Sequence, residues 1–342
     1  MNAVKSVIWV GCLITWAGPA PLRADGPPVF VYQQPHMGCL FTLKLVTEDE
    51  KAAQAASEAV SKRIEEIEQV CSDYRKDSES SLLSATGGQG KAVKVSDELC
   101  ALLTASEHFW QWSGGTFDVT LGPCTRLWRT TRKTLQLPSP ATLAAAVAAT
   151  GFPQLHFSAP EHTVQMQRSG MVLDFGGIAK GYALEEATQL LLKTTGIRNF
   201  LLDAAGQIAA MGAPPERDAW SLGIEKLPEE TPDTPAVVLK LHNAHLATSG
   251  DLHQRVTIGD EHYAHILNPQ TGLGLTYTVE ASVIAPDGTT ADAVATALCI
   301  LDEPTAREKL RQLPGVEARV LRQLQDGTLH VWQSEGWSAY VK

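Results

Sequence analysis

Asp292 and Thr296 stand four residues apart in GTTADAVATALCIL (288–301), at the start of an otherwise apolar run. The turn-forming stretch APDGTT ahead of them predicts a helix starting near Thr290, and i, i+4 spacing then stacks a carboxylate and a hydroxyl on one face. Two hard oxygen donors beside free backbone groups suit a cation such as Mg²⁺, which takes oxygen ligands and leaves places for substrate phosphates. A plain helix start uses the same residues differently: Asp292 complements the dipole, and Thr296 bonds back to a carbonyl one turn earlier.

A second group lies in VLDFGGIAKGYALEEA (172–187). Read as a strand ending in Asp174, two glycines that permit close backbone approach, and a helix with Lys180 in its first turn, it forms an anion site of the kind a phosphate needs. SGGTFDVTLGPCTRLW (113–128) joins glycines, an aromatic, an acid and a Gly-Pro turn in a segment too irregular for a core helix; it reads as a ligand wall or a plain turn. Tyr74, in CSDYRKDSESSLL, can stack on a flat ring or sit half-buried as a structural tyrosine. Five of the ten histidines fall in 242–265, but on strands the i, i+3 pairs His242/His245 and His262/His265 face opposite ways and should not chelate one metal. His265 differs, because it precedes ILNPQTG, a strand running into a tight turn at a cleft. Two apparent motifs fail. ATGGQGKA (85–92) has alanine at the first and last required positions of a phosphate loop, and the DFG of 174–176 lacks every other kinase element.

Amphipathic helices must carry these groups. TEDEKAAQAASEAVSKRIEEIEQVCS opens with Thr47 and Glu50 in capping-box spacing; SDELCALLTASEHFWQWSGG begins at the N-cap Ser96 and stops at Gly114; a third helix runs from Ser139 to Gly151 and a fourth begins in GGIAKGYALEEA. After about Asn199 the pattern turns to strands, ending in ARVLRQLQDGTLHVWQ, a hairpin around Asp326 and Gly327. Helices early and strands late predict an α+β fold, with a soft subdomain division between residues 155 and 172 and a Pro-rich exposed loop at 227–236.

The 342 residues carry a formal charge of −10 and no basic block, which argues against a nucleic-acid partner. Residues 1–24, with Lys5, an apolar stretch from Val7 to about Ala17 and small residues before Asp25, read as a secretory signal peptide, too short to span a bilayer; an uncleaved short anchor is the alternative. The remaining cysteines, Cys39, Cys71, Cys100, Cys124 and Cys299, are odd in number and lack CxxC spacing, so they suit core packing better than a disulfide framework or zinc.

HMGCLFTL, SDYRKDSESSLL, GGTFDVTLGPCTRLW, LDFGGIAKGYALEEA, WSLGIEK, LATSGD, YAHILNPQTG and TTADAVATAL, in this order over residues 36–300, together resemble the ApbE family of FAD:protein FMN transferases. The resemblance implies an exported, Mg²⁺-dependent enzyme of the periplasm or the outer face of the inner membrane. Such an enzyme moves FMN from FAD to a Thr or Ser hydroxyl of an exported or membrane-bound acceptor protein and releases AMP. It implies an ApbE-like, T-fold-like α+β domain over residues 25–342, with mixed or antiparallel sheets, flanking helices and the active site between two subdomains. By match to the family's motifs, Met37, Tyr74, Thr116, Phe117, Asp118, Asp174, Lys180 and Ile266 line the FAD site, while the Gly177 carbonyl, Asp292 and Thr296 hold the metal. Lys180 then adds positive charge at the pyrophosphate, and His265, with Asp251 as competitor, is the candidate base for the acceptor hydroxyl.

The chain departs from the family pattern at Cys39, where a small hydroxyl residue is usual, at Gln207 in place of an acid, and at Asn268 in place of the Asp of HIIDP. Two other outcomes share these residues. Water can replace the protein hydroxyl, giving an FAD pyrophosphatase that yields FMN and AMP, or the chain can be a non-catalytic exported flavin-binding protein.

Overall fold

The computed structural model describes residues 26–224, 237–250, 255–324 and 326–342. The signal-like segment, the Pro-rich loop and Asp251 lie outside them. The chain enters as a hairpin, β1 (Val29–His36) and β2 (Cys39–Val46), closed by Met37 and Gly38, both at positive φ. That pair of left-handed residues is what a two-residue hairpin turn requires.

A long helical excursion follows: α1 (Glu50–Cys71), α2 (Glu79–Ser84), the short β3 (Val93–Lys94), α3 (Asp97–Ser113), α4 (Gly122–Thr134), α5 (Pro140–Ala148), β4 (Leu155–Ser158), β5 (Thr163–Met166) and α6 (Ala179–Leu190). Strands then dominate: β6 (Asn199–Ala204), β7 (Gln207–Met211), β8 (Trp220–Ile224), β9 (Val237–Leu241), β10 (Ala244–Gly250), β11 (Val256–Ile258), β12 (Glu261–Tyr263) and β13 (Thr278–Ala285). Helices α7 (Gly288–Leu298) and α8 (Glu303–Leu310) precede the last pair, β14 (Glu317–Gln323) and β15 (Leu329–Gln333).

The main sheet has the order β1-β2-β6-β7-β10-β13-β14-β15, and every pair in it is antiparallel. The α+β expectation holds in its antiparallel form. Strand β2, from before the excursion, pairs directly with β6, from after it, and β1 lies outside β2 at the edge.

Alternation sorts the side chains to the two faces. Phe200 and Leu202 of β6, Ala247 of β10, and Val279, Ala281 and Val283 of β13 face the core built with α1, α3, α6 and α7. Leu201, Leu246 and Ile284 turn the other way, under the β8–β9 hairpin and Trp337. β13 is buried throughout because both its faces are covered.

Several local expectations need correction. Helix α1 is capped by Asp49, whose side chain accepts from the Ala52 N–H, instead of by Thr47. Helix α5 stops at Ala148, and Gly151 (φ 118) turns the chain into a short 3₁₀ turn. No strand runs into Asp174; a single parallel bridge joins Leu121 to Val172. The stretch 113–128 is not irregular throughout, because from Gly122 it is helix α4. Pro123 occupies its first turn, where a missing N–H costs nothing, and Cys124, Trp128 and Thr131 form its buried stripe. Helices α3 from Ser96 and α6 with Lys180 in its first turn, and the β14–β15 hairpin, follow the sequence pattern.

Candidate active site

Helix α7 begins two residues before Thr290, at Gly288, because Asp287 caps it: Oδ1 accepts from the Thr290 N–H (2.7 Å) and Oδ2 from its hydroxyl (2.7 Å). It crosses α6 backbone against backbone. A Cβ added to Gly181 would lie 2.1 Å from the Gly288 carbonyl oxygen and 2.5 Å from Asp292 Cβ, so only glycine permits the crossing.

The crossing gives both Asp292 and Thr296 partners outside their own helix. Asp292 Oδ2 accepts from the Gly181 N–H (2.9 Å) of the neighbouring helix, and the Thr296 hydroxyl donates to the Gly177 carbonyl (3.3 Å) instead of back along its own helix. Both side chains reach across to the glycine turn. Ser249 Oγ stands 3.4 Å from Thr296 Oγ1, which extends the run of oxygens. Neighbouring ligands of an octahedral Mg²⁺ at 2.0–2.1 Å lie about 3 Å apart, so the 3.3 Å between the Thr296 and Gly177 oxygens fits a small hard cation. Asp292 is 1% exposed, and burial pushes its carboxyl above the usual range against the pull of Lys180 and the Gly181 N–H. With the Thr296 hydroxyl and the Gly177 carbonyl, this carboxyl is among the oxygen donors that could hold a cation.

Helix α6 has no side-chain cap of its own, and Asp292 serves its first turn from α7. One backbone donor of the expected anion cradle is therefore already engaged. The Lys180 ammonium forms no hydrogen bond or ion pair with other described residues, while its charge acts on Asp292, Cys39, Asp203 and His265. Met37 lies in the β1–β2 turn next to Cys39, with its N–H donated to Glu68 Oε2 (2.9 Å).

Loop 113–121 forms a wall behind the glycine turn. Phe117 is buried with its ring edge against Gly177, where a Cβ would sit 3.4 Å from Phe117 Cε2 and 3.0 Å from Thr296 Oγ1. Asp118 holds the wall together: Oδ1 accepts from the Thr120 N–H (2.8 Å) and hydroxyl (2.6 Å), and Oδ2 from the Phe152 N–H (3.2 Å). Thr116 donates to the Ser113 carbonyl (3.3 Å). Asp174 closes its own turn by accepting from the Gly176 N–H (2.8 Å), and burial and Asp73 push its carboxyl upward against the Arg129 charge.

The segment from Ala264 to Leu275 folds on itself through Ala264 N–H to Leu275 O (2.7 Å) and Leu275 N–H to Ile266 O (3.0 Å); Leu267 clusters with Trp128 of α4, whose ring also meets Tyr263 at the end of β12. Asn268 Oδ1 accepts from the Gln270 N–H (2.9 Å), the turn an aspartate would also make. His265 is carried on this segment. Burial first, then the charges of Arg132 and Lys180, push its imidazole down to about 4, and its Nδ1 is buried without a partner among the described residues. Tyr74 is 77% exposed, with the Arg129 guanidinium 4.0 Å over its ring.

Sequence reasoning passed over Arg129, Asp73, Arg132 and Ser249. Ser249 lies within LATSGD, and Arg129 and Arg132 lie on the part of α4 beyond the 113–128 stretch, where no motif marks them.

The fold and these residues define a class: an α+β protein with an antiparallel main sheet, whose crossed helices α6 and α7 bring a glycine turn, a lysine, a carboxylate and a hydroxyl together. A model of the ApbE family matches residues 37–320, and the chain belongs to that family. It is 34% identical over 278 residues to the FAD:protein FMN transferase of Treponema pallidum, covering 77% of this chain and 76% of the relative. To the FAD:protein FMN transferase of Escherichia coli K12 it is 25% identical over 313 residues, covering 90% and 87%. The flavin transferase ApbE of Vibrio cholerae shares the fold at a TM-score of 0.79 and 24% identity, over 92% of this chain and 100% of that one.

Proposed function

We propose that the protein transfers FMN from FAD to a Thr or Ser hydroxyl of an acceptor protein, with release of AMP, and that it is Mg²⁺-dependent and exported. The observation that carries the reading is that Asp292 and Thr296, on one face of α7, reach across to the turn at 177–181, at the Gly181 N–H and the Gly177 carbonyl, beside the unengaged Lys180 ammonium. A carrier that only bound flavin would have no use for a buried carboxylate on the same helix face as a hydroxyl that meets the Gly177 carbonyl.

Gly177 O, Asp292 and Thr296 are the groups to hold Mg²⁺, which supplies charge neutralisation at pyrophosphate oxygens. Lys180 adds a second positive charge to the same oxygens as the P–O–P bond opens and AMP leaves. Phe117 and the Asp118-braced loop keep the glycine turn in place behind them. His265 is neutral at pH 7 and can take the proton of the acceptor hydroxyl at an open nitrogen. Burial is the main cause of its weakness as a base; incoming phosphates would relieve only the lesser part, the charges of Arg132 and Lys180. Asp251, the competing base, lies outside the described residues.

The test is to incubate the chain lacking residues 1–24 with FAD and Mg²⁺, with and without a Thr-containing acceptor, following AMP and acceptor mass together. The transferase reading requires acceptor to gain FMN in step with AMP and both to vanish in Asp292→Ala. AMP without labelled acceptor would make the protein a pyrophosphatase, and FAD bound unchanged would make it a binding protein. Export is checked by fusing residues 1–24 to a periplasm-dependent reporter; retention in the cytoplasm would refute it.

A further inference from the structure

We propose that Arg129 is a positioning residue for the aromatic ring that FAD lays on Tyr74, an inference that rests on the flavin-transferase reading. Tyr74 is 77% exposed on the connection between α1 and α2, and a tyrosine so placed ordinarily rotates freely. Here its ring is held. The Arg129 guanidinium lies 4.0 Å over one face, and most of the residue's surface stays exposed, which leaves room for a flat ligand.

The guanidinium is itself fixed. Nη1 donates to Asp73 Oδ2 (2.5 Å), and Nη2 to Asp73 Oδ1 (3.2 Å) and Asp174 Oδ2 (3.3 Å). The two carboxylates are only 7% and 12% exposed, and the guanidinium 26%. A planar fork can grip two carboxylates in its plane and stack on a ring above it, which the point charge of lysine cannot do. The clamp joins three segments: Asp73 and Tyr74 between α1 and α2, Arg129 on α4, and Asp174 at the glycine turn that carries Gly177. The ring that binds the substrate and the oxygens that bind the cation are thereby tied together through one side chain.

The test is FAD titration followed by quenching of flavin fluorescence, in wild type, Arg129→Ala, Arg129→Lys, Tyr74→Ala and the Arg129→Ala/Tyr74→Ala double variant, with thermal melts as fold controls. Arg129→Ala is expected to raise the Kd for FAD about three- to tenfold, and Arg129→Lys, which keeps the charge but not the stack, to fall between it and wild type. In the Tyr74→Ala background Arg129→Ala should change Kd less than twofold, because the ring it orients is gone.

Parallel titrations with AMP and with FMN show which ring is read: only the ligand that stacks on Tyr74 loses affinity in Arg129→Ala. Tighter FAD binding in Arg129→Ala would overturn the proposal by showing that the guanidinium occupies the ligand's place. An equal loss in the presence and absence of Tyr74 would also overturn it, reducing Arg129 to a brace for its two carboxylates. If Arg129→Ala does not fold, the Lys variant in both Tyr74 backgrounds gives the same comparison. Wild type that fails to bind FAD would remove the flavin-transferase reading itself, whereas wild-type binding with unaltered variants would remove only the role of Arg129.

Discussion

Gly177 sits between Thr296 and Phe117 with almost no room to spare, so Gly177→Ala should injure the cation site while sparing the fold. The added Cβ would stand 3.0 Å from both Thr296 Cγ2 and Oγ1 and 3.4 Å from Phe117 Cε2, which obliges Thr296 to give by a few tenths of an ångström. Thr296 is β-branched and helical, so it has few rotamers to escape into, and turning about χ1 takes its hydroxyl away from the Gly177 carbonyl. Overpacking of this size costs about 1–3 kcal/mol, within what a domain of about 5–15 kcal/mol withstands. Mg²⁺ tolerates little deviation from 2.0–2.1 Å ligand distances. The half-saturating Mg²⁺ concentration for AMP release should therefore rise about tenfold, some 1.4 kcal/mol of lost affinity. Thr296→Ser added to Gly177→Ala removes the clashing methyl, keeps the hydroxyl and should recover most of the loss. Wild-type Mg²⁺ dependence in Gly177→Ala, or no recovery from the serine, would refute the placement of the cation at these oxygens.

Three further outcomes follow from the same geometry. Burial raises the Asp292 carboxyl, so ionising it above the usual carboxylate range costs stability when no cation is present. Asp292→Asn should melt at or above the temperature of metal-free wild type at pH 7, gain nothing from Mg²⁺ where wild type gains several degrees, and lose AMP release; a metal-induced gain in the variant would refute the assignment. His265 has the opposite sign: its folded value of about 4 lies below the usual 6.5. The unfolded chain then binds the extra proton between those values, and stability rises with pH across the window by at most about 1.4 kcal/mol per unit. Denaturant titrations at pH 4.5 and 6.5 should show that slope shrink in His265→Gln, and full transfer activity in His265→Ala would reduce the residue to a wall. Asn268→Asp keeps the acceptor for the Gln270 N–H and should alter stability by no more than about 0.5 kcal/mol in the same titration, a larger loss showing that the amide does more than make the turn.

Periodicity and caps made α3, α6, α7 and the late antiparallel strands legible, because each is specified by residues within a few positions of one another. Helix α4 was not. Its glycine, proline and threonines read as loop, and its amphipathic stripe of Cys124, Trp128 and Thr131 is recognisable only once α5 and the 264–275 segment supply the apolar surface it covers. The strand expected before Asp174 failed for the converse reason: Met171, Val172 and Leu173 form an apolar run that is buried by surrounding helices, with one bridge to Leu121 as its only ladder contact among the described residues.

The site divides along the same line. Spacing put Asp292 and Thr296 on one face but left two uses for that face open. The partner of each lies outside α7, 111 and 119 residues away in sequence. No local rule reaches that far. Yet the sequence does hold the condition for it, in Gly181 and Gly288: both face a backbone carbonyl at a distance no Cβ allows, so the two helices can cross only there. The glycines of the lysine motif and of the acid motif are thus one device, and their sequence positions become intelligible together as the contact that brings Asp292 to the first turn of α6 and Thr296 to Gly177.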